Sequence, residues 1–565
     1  MHALVECVPN FSEGRDRAVI DRIVAAIAEV DGVKVFDVDP GADTNRTVVT
    51  FIGTPAAVAE AAFAGIRQAA ELIDMRRHAG AHPRMGATDV CPFIPVAGVT
   101  MADCTRLARQ VGRRVAEELQ IPVYLYEESA TRPERRNLAD IRQGEYEGLA
   151  AKLSDPEWVP DFGAATFNPQ SGATVMGARE FLIAYNINFN TRDRRLVNDI
   201  ALNIRERGRA KRDDEGKIVR DEDGSQMMVP GVFQGLKAIG WYIEEYGCAQ
   251  LSMNITNYKV SPVHEIFDEV CRQAAERGLR VTGSELVGLI PKAAVVAAGE
   301  HFLRKQGKST GVPEEELVHI AVKSLGLDEL SPFEARRKII EYAVEEENPP
   351  RLVRMNLRDF ANELSTDSPA PGGGSVASLA GALGAALAAM VSNLTMGKKG
   401  YEAVQEEMVR IGVAGQQLKE EFLADIDLDT EAFDRLMDAF RLPKKSDEEK
   451  AARQAAVVEA TKGAIAVPLR VLKRTIAALG LVKAVAQKGN QNSLSDAGVG
   501  GLMALAAARG ACYNVLINLQ GLDDADYVHR TRTEAAEALQ VATGLAGEVA
   551  ALVEKALAGE DSATG

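Results

Sequence analysis

SPAPGGGSVASLAGALGAALAAMV, residues 368–391, sets the character of the second half of the chain. Two prolines and the glycines Gly372, Gly373 and Gly374 stop any preceding helix, so a new helix is expected to open with Ser375 as its cap. Beyond Ser375 the run out to Leu394 is mostly Ala and Gly, which favours close packing against other helices. The run is nearly long enough to cross a bilayer, but Ala and Gly dominate it and Ser378, Ser392 and Asn393 interrupt it, so a packed helix is the better expectation. Backbone N–H groups at such a glycine-led helix start can hold an anion. No Gly-Lys-Ser/Thr follows, so this is not a nucleotide phosphate loop, and an interhelical turn accounts for the glycines equally well.

Outward from this helix the period stays helical. Leu357, Phe360, Ala361 and Leu364 share one face upstream; downstream, helices are expected over 401–422, 429–440, 446–479, 496–518 and 532–557. These make residues 357–565 an all-α bundle whose Ala and Gly faces call for partners, so a homo-oligomer is expected. The charged and proline-paired passage Glu345-Glu346-Glu347-Asn348-Pro349-Pro350 marks residues 327–356 as a linker.

Upstream the pattern alternates between strands and helices. Strands at 4–9, 33–39, 46–53 and 123–126 and helices at 15–30, 55–72 and 100–119 give a first α/β subdomain over 1–180. Strands at 181–188, 235–242, 248–254 and 281–283, with helices at 192–207 and from Ser261-Pro262 to Arg277, give a second over 181–326. The expected class is α/β, two subdomains with mixed sheets, followed by the helical bundle. Residues 212–224 read as an exposed hairpin without chemistry, and no Gly-x-Gly-x-x-Gly follows the first strand, so a dinucleotide is not indicated.

Composition narrows the partners. A formal net charge of -16 over 565 residues offers no basic excess for nucleic acid or an anionic membrane surface. Six scattered cysteines without a Cys-x-x-Cys pair suggest a reducing compartment and no zinc, and the first residues lack a secretory pattern, so a cytoplasmic protein is expected.

Two places carry chemistry. HAGAHPRMGATDVCPFIPV, residues 78–96, puts His82 before Pro83 in a Gly/Ala-rich loop that runs into Val90–Val96, expected as an edge strand or a strand end because of Pro92 and Pro95. A loop histidine titrates near neutral pH and can move a proton, though it can equally serve a loop carbonyl. Arg76, Arg77 and Arg84 nearby suit an anionic substrate; Arg192, Arg194, Arg195, Lys398 and Lys399 are further candidates, or plain surface charge. The run Gly163, Ala164, Ala165, Thr166, Phe167, Asn168, Pro169, Gln170, Ser171 and Gly172 is a glycine-bounded loop that a flat ligand could approach. In the bundle, Asp425, Asp427 and Asp429 stand at alternate positions near an expected helix start. Burial would raise the pKa of Asp429 and fit it for proton exchange, while a favourable dipole contact explains the acids equally well; without a glycine turn or distal Glu, no metal is assigned.

The blocks VPNFSEGRD, AGAHPRMGATDVCPFIPV, DFGAATFNPQSGATVMGAREFLIAYN, MNITNY and GSELVGLIP resemble glutamate formimidoyltransferase. SPAPGGGSVASLAGALGAALAAMV, the Asp-x-Asp run before FRLPK, and YNVLINL are similar to the formimidoyltetrahydrofolate cyclodeaminase module. The order resembles the fused formimidoyltransferase-cyclodeaminase family over nearly the whole chain. The resemblance implies transfer of a formimidoyl group from N-formimidoyl-L-glutamate to tetrahydrofolate, then cyclisation to 5,10-methenyltetrahydrofolate with loss of ammonia. It implies His82 as the transferase base, residues 163–172 as the folate segment, Asp429 as the cyclodeaminase acid/base with Asp427 as fallback, and tetrahydrofolate as co-substrate without metal. Leu428 departs from the small residue usual between the aspartates. A formylglutamate transferase or cyclohydrolase variant, and a folate-binding scaffold with an inactive bundle, are the alternatives.

Overall fold

The computed structural model describes residues 3–42, 44–80, 83–221, 223–244, 246–345, 352–368 and 370–558. It divides into two compact units, Met1–Ala298 with Val322–Glu347, and Gly299–Ala321 with Asn348–Gly565.

The first unit opens with β1 (Leu4–Cys7), β2 (Asn10–Phe11), α1 (Arg17–Ala28), β3 (Val33–Gly41), β4 (Arg46–Gly53), α2 (Pro55–Leu72) and β5 (Thr88–Ala97). It continues through α3 (Met101–Leu119), β6 (Val123–Glu127), α4 (Leu138–Ile141), α5 (Glu145–Leu153) and β7 (Thr174–Ala178). Thr100 and Asp103 form a reciprocal capping box that starts α3, and Thr54 with Pro55 starts α2. The sheet is mixed: β3, β4, β1, β2 and β5 pair antiparallel, and β7 joins β5 and β6 in parallel. Val5, Cys7, Phe51, Phe93 and Leu125 point from this sheet into a core closed by α1, α2 and α3.

The strand expected at the edge proves central, with β1 and β2 on one side of β5 and β7 on the other. Its prolines fit because each falls where a donor is dispensable. Pro92 lies opposite the break between β1 and β2, and Pro95 lies past Phe93, where the ladder with β7 ends.

A second sheet follows, built from β8 (Ile183–Phe189), β11 (Leu236–Ile243), β12 (Cys248–Ile255) and β13 (Val281–Val287) in the order β11-β12-β8-β13. Mixed pairing is confined to the first sheet; this one is antiparallel throughout. Helices α6 (Arg194–Ile204) and α7 (Val263–Glu276) belong with it, and the small pair β9 (Arg209–Ala210) and β10 (Met228–Val229) closes the base of the charged hairpin. Ser261 does not cap α7: its hydroxyl donates to the Gln234 carbonyl, and Pro262 occupies the cap position.

Helices α8 (Lys292–Lys305), α9 (Glu314–Leu325), α10 (Ala335–Lys338) and α11 (Ile340–Glu345) come next. Ile339 and Ile340 are fully buried, so the passage expected as linker carries folded structure in its first part.

The second unit is helical: α12 (Leu357–Leu364), α13 (Gly373–Thr395), α14 (Gln405–Arg441), α15 (Asp447–Lys488), α16 (Leu494–Leu519) and α17 (Ala525–Leu557). The Leu357 face of α12 is not buried, Leu357 being 85% exposed. Small residues do set the spacing around α13. A Cβ on Gly381 would strike the Phe422 ring at 2.7 Å, and one on Gly415 would stand 3.0 Å from the Ala385 carbonyl. The two helices expected at 401–422 and 429–440 are one, because buried Phe422 and Ile426 carry the packed face of α14 through the junction. Asp425, Asp427 and Asp429 are therefore mid-helix, and a helix-start dipole does not explain them.

Candidate functional sites

His82 lies outside the described residues; the chain is described again from Pro83. Met85 N donates to Asp89 Oδ1 at 2.9 Å, and the chain then meets the glycine-bounded loop. Gly86 and Gly172 form an isolated antiparallel bridge, Ala87 N donates to Ser171 O, and Ala173 N donates to Met85 O. A Cβ on Gly172 (φ +66°) would lie 2.1 Å from the Met85 carbonyl, so only glycine permits this approach. The two stretches singled out in sequence thus become one locality.

Within 163–172, Gly163 to Thr166 are exposed while Ser171 and Gly172 are buried. Asn168 Oδ1 accepts from the backbone of Gln170 and Ser171, an Asx turn that shapes the loop. Phe167 packs on Tyr146 with ring centroids 5.5 Å apart.

Next to this loop a cavity of about 440 Å³ is lined by His78, Ala79, Gly80, Arg84, Glu145 and Glu147, with Gly144 at the helix start. Arg84 is buried and donates to Glu145 (3.0 Å), Glu147 (2.7 and 2.8 Å) and His78. These bonds hold its guanidinium further above the usual range and Glu147 below its own. Arg84 is therefore already neutralised, which weakens its expected role with substrate carboxylates. Arg76 is likewise bidentate to Asp74, whereas Arg77, Arg192, Arg194, Arg195, Lys398 and Lys399 are exposed. Sequence reasoning missed Glu145 and Glu147; their signal was two glutamates flanking Tyr146 directly after Gly144.

On the face of the first sheet, Glu6 is 4% exposed and burial pushes its pKa up to about 7, against the pull of Arg179. Burial also raises Glu127 and Tyr126 beside the same arginine.

The three aspartates of α14 have three different environments. Asp425 is 1% exposed and bound by Arg470 (3.1 Å from Nε) and Arg474 on α15. Asp427 accepts from the backbone N–H groups of Leu352 (2.8 Å) and Val353 (3.4 Å). Asp429 turns to the start of α13, where Ser375 Oγ donates to it at 3.4 Å and to the Ile426 carbonyl at 3.1 Å. Ser375 therefore does not cap its helix; Gly372 holds that position and Ser375 faces α14. Burial raises the Asp429 pKa, the Ser375 contacts oppose this, and Asp425 adds to it. Among the described residues no cluster of three or more His, Cys, Asp or Glu is placed to hold a metal.

The family descriptions that match are the formiminotransferase domain, N-terminal subdomain, over residues 4–179, the formiminotransferase domain over 184–345, and formiminotransferase-cyclodeaminase over 356–537. The formimidoyltransferase-cyclodeaminase of Gallus gallus is 44% identical over 556 residues, covering 98% of this chain and 99% of that protein. This chain belongs to the formimidoyltransferase-cyclodeaminase family. The two parts of that family also have separate relatives. The glutamate formimidoyltransferase of Thermoplasma acidophilum is 43% identical over 311 residues, 55% of this chain and 95% of its own. The methenyltetrahydrofolate cyclohydrolase of Methylorubrum extorquens is 43% identical over 199 residues, 35% of this chain and 92% of its own. In this formimidoyltransferase-cyclodeaminase family member, residues 78–84 fall within the match to the formiminotransferase N-terminal subdomain and Asp429 within the match over 356–537.

Proposed function

We infer that the chain is a bifunctional folate enzyme of histidine breakdown and one-carbon metabolism, moving a formimidoyl group from N-formimidoyl-L-glutamate to tetrahydrofolate and then closing the ring with release of ammonia. The observation that carries this reading is likeness across both parts in the family's order, end to end, at 44% identity.

In the first step the folate N5 attacks the formimidoyl carbon, losing its proton as the glutamate nitrogen gains one and leaves. His82, the proposed base, serves both transfers. Residues 163–172 are proposed to hold the folate, an assignment supported by the Gly86–Gly172 bridge that sets them against the segment just after Arg84. In the second step N10 attacks the same carbon and the amidine nitrogen departs as ammonia, which needs a proton donor. We assign that proton to Asp429, because burial favours its neutral acid form, whereas Asp427 spends both oxygens on backbone amides. Tetrahydrofolate acts as co-substrate; neither step as written calls on a metal or redox group.

We place the transferase in the first unit and the cyclodeaminase in the second, and the enzyme in the cytoplasm. Helices α13, α16 and α17 are each long and apolar enough to cross a membrane. The bundle supplies another reason for that character in α13, 61% of whose apolar window is buried. On α16, Val499, Leu502, Tyr513 and Ile517 are exposed, and we propose that a second copy of the chain covers them.

The likeness to a methenyltetrahydrofolate cyclohydrolase supports a second reading for the bundle, hydrolysis of the methenyl ring. Purified protein given formimidoylglutamate and tetrahydrofolate separates the two: methenyl absorbance rising with one ammonia per turnover supports deamination, and turnover without ammonia refutes it.

A further inference from the structure

Ser375 has one hydrogen and two acceptors within its reach. It is fully buried in the first turn of α13, and its Oγ lies 3.1 Å from the Ile426 carbonyl and 3.4 Å from Asp429 Oδ2, both on α14. A hydroxyl carries a single hydrogen, which turns to suit its partners, and two lone pairs. The Ile426 carbonyl only accepts, whereas the Asp429 carboxyl accepts when ionised and donates when protonated. With Asp429 protonated at Oδ2, the Ser375 hydrogen goes to Ile426 and a lone pair receives the acid. With the carboxylate present, the same hydrogen turns to Oδ2. Ile426 is not left bare by this, because its carbonyl lies inside α14 and keeps the helical bond from the Thr430 N–H. The carboxyl is held close as well: a Cβ on Gly374 would lie 2.2 and 2.4 Å from its two oxygens.

We propose that Ser375 is a positioning residue of the cyclodeaminase site, a hydroxyl that reverses its hydrogen bond so that Asp429 gives up and regains a proton without moving. The proposal rests on the reading of Asp429 as the proton donor to the departing nitrogen. In cyclisation of the protonated amidine, the acid gives its proton to that nitrogen, the nitrogen–carbon bond breaks as ammonia leaves, and the proton shed by N10 returns to the carboxylate. The charged group nearest Asp429 in α14 is Asp425, one turn earlier, whose oxygens are taken by Arg470 and Arg474 of α15. Helix α13 presents only Gly374 and Ser375 there, and α16 brings the neutral amide of Asn514 beside Gly373. Hydrogen bonds to an ionised partner are about twice as strong as those between neutral groups, so Ser375 on balance favours the carboxylate. Without it the acid stays protonated to higher pH.

The test is the pH profile of cyclisation of supplied 5-formimidoyltetrahydrofolate by the full chain, for wild type, Ser375→Ala, Ser375→Thr and Asp429→Asn, with formimidoyl transfer followed on the same samples. Ser375→Ala is expected to lose about 10-fold in kcat with KM within about threefold, as misplacement of a catalytic group does. Its alkaline limb, where the acid form is lost, is expected to move up by about one pH unit. Ser375→Thr keeps the hydroxyl and is expected to keep the wild-type limb. Transfer is expected to be unchanged in every variant. A wild-type limb or an undiminished kcat in Ser375→Ala overturns the proposal, and so does a Ser375→Thr limb that moves with it. Cyclisation that survives in Asp429→Asn, or is absent from the wild type, overturns the reading of Asp429 instead. Should Ser375→Thr fail to fold, the limb and kcat of Ser375→Ala decide alone.

Discussion

Gly374 and Asp429 meet so closely that a Cβ on the glycine would lie 2.2 Å from the carboxylate oxygen. The Asp429 carboxylate can lie against the first turn of α13 in this position because the glycine has no side chain. Gly374→Ala is therefore expected to push the Asp429 carboxyl aside and cut cyclisation by about 100-fold. Formimidoyl transfer by the same protein should be unchanged, and assaying each step separately checks both.

Asp429→Asn separates catalysis from stability. Its carboxyl has a raised pKa, so the folded state prefers it neutral and stability is lost as pH rises from the unfolded pKa to the folded one. The amide removes that cost. Cyclisation is expected to disappear while the thermal midpoint at pH 7.5 holds or rises; a lower midpoint with partial activity would assign Asp429 a structural role.

Asp427→Ala should behave in the opposite way. It leaves the Leu352 and Val353 amides without their acceptor, at a cost of about 1–3 kcal/mol. Denaturant unfolding should show that loss, with cyclisation per folded molecule within about threefold of wild type. The pair of variants settles which aspartate carries the proton.

Glu6 gives the first unit a pH dependence of its own. A carboxyl raised to about 7 by burial contributes least above that pH, because ionising it in place costs free energy. Stability is then highest at low pH and falls as pH rises from about 4.5 through 7. Glu6→Gln should level this slope and gain up to roughly 3 kcal/mol above pH 8. Unfolding midpoints across pH 5–9 would record it.

Gly172→Ala tests the bridge to Gly86. The added methyl must displace the Met85 carbonyl and accept φ +66°, a strain of about 1–3 kcal/mol. The expected result is a raised KM for tetrahydrofolate and a lower rate of transfer, with cyclisation of supplied intermediate intact. An unchanged KM would argue against folate at residues 163–172.

Much of this was open to reading along the chain because it depends on neighbours in sequence. Thr54-Pro55 and Thr100 with Asp103 start helices wherever they occur, and the Ala/Gly run after Gly374 can only pack closely. The motif blocks pointed to the family for the same reason. Other features depended on contacts between distant segments. Pro92 and Pro95 suggested an edge, yet breaks in the neighbouring strands let β5 lie in the middle. The polar run around Asp425–Asp429 suggested a helix start, yet buried Phe422 and Ile426 carry α14 straight through.

The sequence by itself determined most of the elements, the division into an α/β part and a helical part, and the family, since periodicity, capping and motif are properties of short stretches. Only the tertiary structure decided that Asp425 meets arginines, Asp427 meets amides and Asp429 meets Ser375. Their chemistry is set by the dielectric and the partners around each carboxylate, and those come from residues 45 to 75 positions away in the chain.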